Sequence, residues 1–410
     1  MAAVLPTSDF KGMAVEEFDT RTLLAHAARQ ARERHYEELF IVDVDSHHYE
    51  TESLRDIVEY FEDPVLRQNA KATIGRRTTG GGGLIPGQIG NQDQFGRVTR
   101  YSLRQEEKTP PGRTRDVVLA QRWMDAMGVD IAMLFPTPML QLSFHPQIEM
   151  QSGIARAYNR FVVERILPEE PRIRALLYLP AFDPEACYKM VRDFADKPGV
   201  SGFMVTATHQ VPVHDNALMK TYAELEERGL ALAFHGGFHW TDGAFRTHNR
   251  FIAAHALGFV FYNMVHLTNW IVNGMPERFP KLKVIWMESG LAWIPFMMQR
   301  LDNEYMMRSN ECPLLKKLPS EYMREMYYSS QPMEVPNDLS ALQQTFKMIN
   351  AETQLLYSSD YPHWDFDLPS TIYDLPFLSK QAKRNILGEN AARVFNLERP
   401  AQKLAKIPAA

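Results

Sequence analysis

Short apolar runs of β-rich composition recur along the chain, and amphipathic helical stretches separate most of them. The eight runs are residues 40–44, 129–135, 173–179, 200–206, 230–235, 282–288, 326–330 and 354–360. Strands that alternate with helices predict a parallel sheet, because a parallel connection needs a crossover. Eight such units predict a closed (β/α)8 barrel, with a doubly wound open sheet as the alternative.

The chain is predicted to consist of an N-terminal arm, the barrel, an insertion within the barrel and a C-terminal tail. Residues 1–39 form a charged helical N-terminal arm, in which Leu23, Leu24 and Ala27 lie on one side and face another surface. The barrel covers residues 40–397, with residues 50–125 as an insertion after the first strand. Its glycine-rich loop, residues 78–92, is expected to act as a lid or partner contact. Residues 398–410 are a C-terminal tail.

Composition excludes several classes of partner. The 410 residues carry a formal net charge of -5 without a basic run, so no nucleic-acid partner is expected. No segment has eighteen consecutive apolar residues, so no membrane span is expected. Cys187 and Cys312 lie far apart without a CxxC motif, which fits a reducing cytoplasm. The long apolar helix at residues 255–280 is expected to be buried by the lid or at a subunit interface.

Carboxylates and imidazoles follow the first apolar run in the stretch "FIVDVDSHHYET". Strand alternation places Asp43, Asp45 and His47 on one face and His48 on the other. Ionised carboxylates are costly to bury, and a metal ion offsets that cost. Carboxylate with imidazole suits Zn, Fe, Mn or Ni. A helix cap and turn after the strand is the alternative interpretation.

Three more predicted strands end on polar residues. His235 ends the fifth, Glu288 the sixth and Asp360 the eighth. In a (β/α)8 barrel, chemistry lies at the C-terminal strand ends. With Asp45 and His47 these residues predict ligands for one or two divalent metals. A polar plug in the barrel is the alternative.

Further residues have two interpretations each. Glu50 is either a solvated helix-cap residue or a bridging carboxylate for a second metal. His239 is either a catalytic or substrate contact or a solvated loop residue. His266, within the apolar helix, is either a core histidine or a metal ligand. His363, three residues after Asp360, is a candidate polar group of the active site.

Several motifs together resemble the amidohydrolase-related family, in the branch that contains aminocarboxymuconate semialdehyde decarboxylase and the resorcylate-type decarboxylases. They are "VDVDSHHYE", "MDAMGVDIAMLFPT", "AFHG", "GMPERFPKLKVIWMESGLAWIPFMMQRLD", "SSQPME" and "LLYSSDYPHWD". The resemblance implies a metal-binding (β/α)8 barrel. It implies that Asp45 and His47 are first-strand ligands, that His235 is the fifth-strand ligand, and that Asp360 is the eighth-strand carboxylate and general base.

The chain departs from this resemblance at two positions. Asp45 stands where family decarboxylases often carry His or Glu, and Glu288 stands where they usually carry a His that assists proton transfer. Glu288 is therefore expected to be a proton carrier or a ligand of a second metal. Such an excess of carboxylates is similar to relatives of the aminoisobutyrate hydroxylase type, which look like dinuclear iron or manganese oxygenases.

The expected function is a metal-dependent hydrolase or carbon–carbon lyase that acts on a small carboxylated molecule. One or two divalent cations per chain, Zn, Fe or Mn, are the expected cofactors. Two alternatives stay open: a dinuclear oxygenase, and a non-catalytic partner subunit of an active homologue. A homo- or hetero-oligomer is expected in each case.

Overall fold

Eight parallel strands form one sheet in chain order, in a computed structural model that describes residues 20–50, 53–75, 109–207, 211–237, 242–334, 338–363 and 365–409. The Val44 amide donates to the Tyr357 carbonyl at 3.0 Å, and the Asp360 amide donates to the Asp45 carbonyl at 2.7 Å. These bonds join the first strand to the residues after the last, so the sheet curves into a nearly closed barrel. The predicted (β/α)8 fold is confirmed.

The eight predicted strands are all present, but their bounds differ. They are β1 (Val42–His48), β2 (Ile131–Pro136), β3 (Ile173–Tyr178), β4 (Val200–Val205), β5 (Ala231–His235), β6 (Lys283–Met287), β7 (Tyr327–Ser329) and β8 (Leu355–Leu356). The first strand extends past its apolar run through both histidines, because β2 continues to pair with it at His47 and His48. The last strand is only two residues long.

Helices cover the outside of the barrel. They are α1 (Thr20–Glu33), α2 (Leu54–Ile57), α3 (Pro64–Gly75), α4 (Arg115–Met127), α5 (Ile148–Phe161), α6 (Pro184–Phe194), α7 (Met219–Glu227), α8 (Phe251–Val272), α9 (Met275–Arg278), α10 (Trp293–Arg308), α11 (Pro319–Met323), α12 (Leu339–Met348), α13 (Ala351–Gln354), α14 (Ser370–Tyr373), α15 (Lys380–Arg384) and α16 (Asn390–Phe395). Most of the strands are therefore apolar on both faces, as in other helix-covered parallel sheets. The exception is β1, which carries two aspartates and two histidines.

Strand alternation determines which side chains reach the barrel interior. Phe234 stacks on Trp286 of β6, with ring centroids 4.8 Å apart, and contacts Trp270 of α8 on the helix side. Its neighbour His235 faces the other way, into the barrel. On β1, His48 contacts Tyr158 of α5 at 2.9 Å, whereas His47 faces inward. The expected opposite directions of the two histidines agree with these contacts.

Both chain ends pack against the barrel in the part that the structure describes. The predicted apolar side of the N-terminal arm packs on α4 of the same chain, where Leu23, Leu24 and Ala27 are buried. Residues 1–19 of that arm lie outside the described residues. In the C-terminal tail, Lys403 Nζ lies 2.7 Å from Asp130 Oδ2 and donates to the Leu39 carbonyl at 2.8 Å. The tail is thus anchored where β1 and β2 begin.

The insertion and the long apolar helix are described in part. Within residues 50–125, the structure describes α2, α3 and most of α4; the loop at 78–92 lies outside the described residues, and its lid role stays a prediction. The apolar helix predicted at 255–280 is α8, which ends at Val272 before Gly274 takes a φ of 68°. None of the described helices is both long and apolar enough to cross a membrane.

Candidate metal centre

Four buried side chains meet at the C-terminal end of the barrel. They are Asp45 and His47 of β1, His235 of β5 and Glu288, which follows β6. One ligand atom from each lies within 4.8 Å of all the others. A second group that satisfies the same limit shares His47 and Glu288 and adds two residues after β8, Asp360 and His363. The two groups overlap and form one polar centre.

The distances around this centre are short. His235 Nε2 lies 3.0 Å from Glu288 Oε2 and 3.6 Å from Asp45 Oδ1. His47 Nε2 lies 3.2 Å from Asp45 Oδ1, 3.2 Å from Asp360 Oδ1 and 3.8 Å from Glu288 Oε2. Five predicted ligands from four different strands therefore face one small volume.

Both histidines are held with Nε2 directed at the centre. His47 Nδ1 donates to the Pro136 carbonyl at 3.1 Å, and His235 Nδ1 donates to the Gly236 carbonyl at 2.8 Å. A carbonyl oxygen only accepts, so Nδ1 must carry the proton in each ring. The Nε2 lone pairs are then available to a metal ion, an arrangement typical of histidine ligands.

The charges at the centre call for a cation. Neither Asp45 oxygen, nor His235 Nε2, nor Glu288 Oε2 has a hydrogen bond of regular geometry among the described residues. Burial raises the pKa of Glu288 to about 8. Burial lowers the pKa of His235, but the Asp45 and Glu288 carboxylates outweigh it and raise that pKa to about 10. A divalent cation would replace the proton that these carboxylates otherwise draw to His235, so the residues fit a metal ion.

Two of the carboxylate residues have a left-handed backbone. Glu288 has a φ of 45° and Asp360 a φ of 59°. Residues other than glycine rarely adopt this region, and such strain concentrates at functional sites where the surroundings maintain it. Next to Asp360, the Ser359 amide donates to Asp43 Oδ1 at 2.9 Å, and the Ser359 hydroxyl also bonds to Asp43.

Asp43 therefore braces the segment that follows β8, and it is not in either ligand group. It was expected to face the same way as Asp45 and His47. Asp43 pairs with Ala132 and Ser46 with Leu134, so β1 has one more residue than β2 in this interval. Such a bulge breaks the strict alternation of side chains. The Asp45 amide also donates to Asp43 Oδ1, at 3.2 Å.

The structure does not bring Glu50 into either group. Glu50 is fully buried, and its carboxylate accepts from the backbone amides of Thr137 at 2.9 Å and Met139 at 2.6 Å. Burial raises its pKa to about 7. Both of its oxygens thus hold the loop that follows β2.

His266 is also absent from the two groups. The His266 ring lies 5.7 Å from the Phe234 ring and 6.0 Å from the Tyr262 ring, on the helix side of β5. His235 faces the opposite side of that strand. His239 lies outside the described residues, so its catalytic role stays a prediction.

His363 lies closer to the centre than the sequence indicated. Its Nδ1 lies 2.6 Å from Asp360 Oδ1, its Nε2 lies 3.2 Å from Thr137 Oγ1, and its ring lies 4.3 Å from the His47 ring. The spacing of three residues from Asp360 was the available signal. It could not show that the turn after β8 directs both side chains to the same point.

Buried carboxylates and imidazoles at the C-terminal strand ends of a (β/α)8 barrel define a class, the metal-dependent barrel enzymes. A family model described as amidohydrolase matches residues 44–397. The chain therefore belongs to the amidohydrolase family, as its motifs predicted.

Solved structures with the same fold are similar to this chain over most of its length. The 5-carboxyvanillate decarboxylase of Sphingomonas paucimobilis is 21% identical, with a TM-score of 0.60 over 88% of this chain and 100% of that chain. The 2,6-dihydroxybenzoate decarboxylase of Rhizobium is 18% identical, with a TM-score of 0.58 over 88% and 99%. The 5-carboxyvanillate decarboxylase of Novosphingobium aromaticivorans DSM 12444, solved with manganese and 4-hydroxy-3-methoxy-5-nitrobenzoic acid, is 17% identical, with a TM-score of 0.63 over 88% and 97%.

Proposed function

We propose that the protein is a metal-dependent carbon–carbon lyase that removes CO2 from a small carboxylated aromatic molecule. The observation that carries the proposal is the convergence of Asp45, His47, His235 and Glu288 at the C-terminal end of the barrel. The similarity to decarboxylases of 5-carboxyvanillate and 2,6-dihydroxybenzoate supports the substrate class. Manganese in the Novosphingobium structure supports a divalent metal.

Asp45, His47, His235 and Asp360 are the residues that would hold the cation. A bound divalent cation supplies Lewis-acid chemistry, which polarises substrate oxygens. The Nδ1 bonds to the Pro136 and Gly236 carbonyls fix both imidazole rings before any ligand arrives. This chain therefore holds its two histidines in the orientation that binding requires.

Glu288 is the proton carrier in this proposal. In decarboxylation the bond between the ring carbon and the carboxylate breaks, and CO2 leaves. The electron pair stays on the ring carbon, which then takes a proton. Glu288 can supply that proton near neutral pH because burial raises its pKa to about 8. For a hydrolytic substrate, Asp360 would instead accept a proton from water as general base.

The dinuclear oxygenase is the second candidate, and the two overlapping donor groups favour it. The charges favour one cation. Two divalent cations carry four positive charges, but among the described residues only Asp45, Glu288 and Asp360 bring carboxylates to the centre. Glu50 binds backbone amides instead. One divalent cation balances Asp45 and Asp360 when Glu288 keeps its proton. We therefore favour the mononuclear lyase.

We also propose that the chain forms a dimer with a second copy through α8. This helix of 22 residues has no Asp, Glu, Lys or Arg. Ile252, Leu257, Phe261 and Val265 are exposed on it, and the last three follow a spacing of four residues, which places them along one side of the helix. In an antiparallel contact about a two-fold axis, Phe261 would face its counterpart and Leu257 would face Val265. An apolar stripe without charge suits this self-association.

The function is tested with protein loaded with Mn2+ and incubated in D2O with 2,6-dihydroxybenzoate and 5-carboxyvanillate, as representatives of carboxylated phenols. We expect release of CO2 and a product with one deuterium on the ring carbon that lost the carboxylate. Metal-free protein and Glu288→Gln are the controls, and both should be inactive. Consumption of O2 with a hydroxylated product, or no product from either phenol or from a wider set of carboxylated phenols, would contradict the lyase.

A further inference from the structure

Asn263 is a fully buried polar residue in the middle of α8, which is a mostly apolar helix without charged residues. Its Nδ2 donates to the Met287 carbonyl at 2.8 Å and to Ser289 Oγ at 3.0 Å. The orientation of the amide is defined, because the Met287 carbonyl can only accept. These two partners stand directly before and directly after Glu288. The Asn263 amide therefore links the backbone carbonyl of Met287 to the side chain of Ser289, which are the residues on either side of Glu288.

The segment that Asn263 bridges is the strained one. Glu288 has a φ of 45°, which a residue with a side chain keeps only when its surroundings impose it. The Glu288 amide also donates to Ser329 Oγ of β7 at 3.0 Å. The helix layer and the neighbouring strand thus hold the turn from opposite sides.

A similar arrangement surrounds the other left-handed carboxylate residue. Asp360 follows Ser359, which is tied through its amide and its hydroxyl to Asp43. The Tyr361 amide, on the other side of Asp360, donates to Ser359 Oγ at 2.9 Å. Each strained carboxylate residue of the centre is therefore flanked by tethered neighbours.

We propose that Asn263 is a positioning residue that sets the backbone of Glu288 and thereby aims its carboxylate at His235 and the cation site. The inference rests on the proposed function, because it takes Glu288 as part of the metal centre. Asn263 is in neither donor group and its hydrogen bonds go to Met287 and Ser289, so it acts through the turn at residues 287–289. This role also explains why a buried polar side chain stands in the middle of a mostly apolar helix.

Buried asparagine residues that brace strands elsewhere provide the matched control. Asn390 is as buried as Asn263 and donates to the Leu355 carbonyl at 2.8 Å and the Glu352 carbonyl at 3.1 Å. It braces the start of β8, the end of that strand opposite to the metal centre. Asn390→Ala should therefore destabilise the fold as Asn263→Ala does, but without changing the centre.

The experiment compares Mn2+ affinity, by competition with a metallochromic chelator, with the melting temperature of each metal-free variant. Asn263→Ala and Asn263→Leu should both lower Mn2+ affinity by roughly 10-fold to 100-fold, because Glu288 Oε2 lies 3.0 Å from His235 Nε2 and a displaced Glu288 no longer supports that ligand. Leu fills the space of Asn but has no hydrogen-bond donor. A loss of Mn2+ affinity in both variants would therefore be due to the missing hydrogen bonds and not to a cavity. Asn390→Ala should lower the melting temperature and keep the wild-type affinity.

A double-variant cycle tests whether the effect passes through Glu288. In Glu288→Gln, the addition of Asn263→Ala should lower Mn2+ affinity no further, because the carboxylate that it positions is gone. Wild-type affinity in Asn263→Ala, an equal loss in Asn390→Ala, or additive losses in the double variant would each overturn the positioning role. Wild type that binds Mn2+ but releases no CO2 would instead overturn the lyase and leave this inference intact. Wild type that binds no Mn2+ would overturn both.

Discussion

The two ring nitrogens of His235 have different partners, and these partners predict the effect of replacing the histidine. Nδ1 binds a backbone carbonyl, and Nε2 faces Asp45 and Glu288. His235→Ala should lose bound metal, because it removes one of the neutral donors from a centre rich in carboxylates. His266→Ala is the matched control, since His266 is buried on the other side of β5 and should keep its metal. The measurement is metal per chain by elemental analysis. Full metal content in His235→Ala would exclude this histidine as a ligand.

The buried carboxyl of Glu50 should make the free energy of unfolding depend on pH even when no metal is bound. In the unfolded chain its carboxyl titrates near its usual value of 4.5, and in the fold burial raises its pKa to about 7. Between these values the folded state keeps a proton that the unfolded state has lost. The stabilisation is therefore complete below pH 4.5 and declines as the pH rises to 7.

Glu50→Gln keeps the shape but cannot titrate. Relative to this variant, metal-free wild type should lose roughly 3 kcal/mol of unfolding free energy between pH 4.5 and 7. Chemical denaturation across this range measures the difference. The variant should also bind as much metal as wild type. If the unfolding free energies of wild type and Glu50→Gln change with pH in parallel, the raised pKa of Glu50 is contradicted. If Glu50→Gln loses metal, Glu50 is a ligand.

The sequence could predict the site residues that lie at the C-terminal ends of the strands. Asp45, His47, His235, Glu288 and Asp360 all follow apolar runs, and parallel strands in a barrel place such residues at one end. Glu50 could not be assigned in this way, because its partners are backbone amides 87 and 89 residues away. The same holds for the hydrogen bonds from Asn263 to the residues on either side of Glu288, since hydrophobic periodicity does not show which partners a buried amide will have.

At the scale of elements, the C-terminal tail is a structural part of the barrel. Lys403 reaches the starts of β1 and β2, where it meets Asp130 and the Leu39 and Gly128 carbonyls. Lys403→Met should lower the free energy of unfolding by about 3 kcal/mol, because it leaves the buried Asp130 without its cation. Lys406→Met, at an exposed position, should change it little. Denaturant titration measures both, and equal stability of the two variants would contradict the anchor.

Element bounds show what the sequence could not specify. The hydrophobic run of the first strand stops at residue 44, yet β1 continues to His48 because β2 supplies backbone partners. The bulge that turns Asp43 from the centre to Ser359 also depends on pairing between strands. Periodicity predicts that a strand exists, whereas pairing partners decide its length and the direction of its last side chains.

At the scale of the whole molecule, the exposed stripe on α8 predicts self-association. Leu257→Glu should reduce the mass in solution, measured by light scattering, from dimer to monomer, because the new charge would be buried in the contact. Addition of Val265→Lys should restore the dimer, because the new cation would face the new anion of the other copy. Val65→Glu, on the exposed side of α3, is the control. A monomeric wild type, or no change in Leu257→Glu, would contradict the contact.

The central claim is a mononuclear metal centre in which Glu288 carries a proton. The most direct test is metal stoichiometry of wild type and Glu288→Gln, loaded side by side with excess Mn2+ and measured by elemental analysis against protein concentration. We predict one metal per chain in both proteins, because Asp45, His47, His235 and Asp360 remain in the variant. Two metals per wild-type chain, falling towards one in Glu288→Gln, would contradict the claim and support a dinuclear centre.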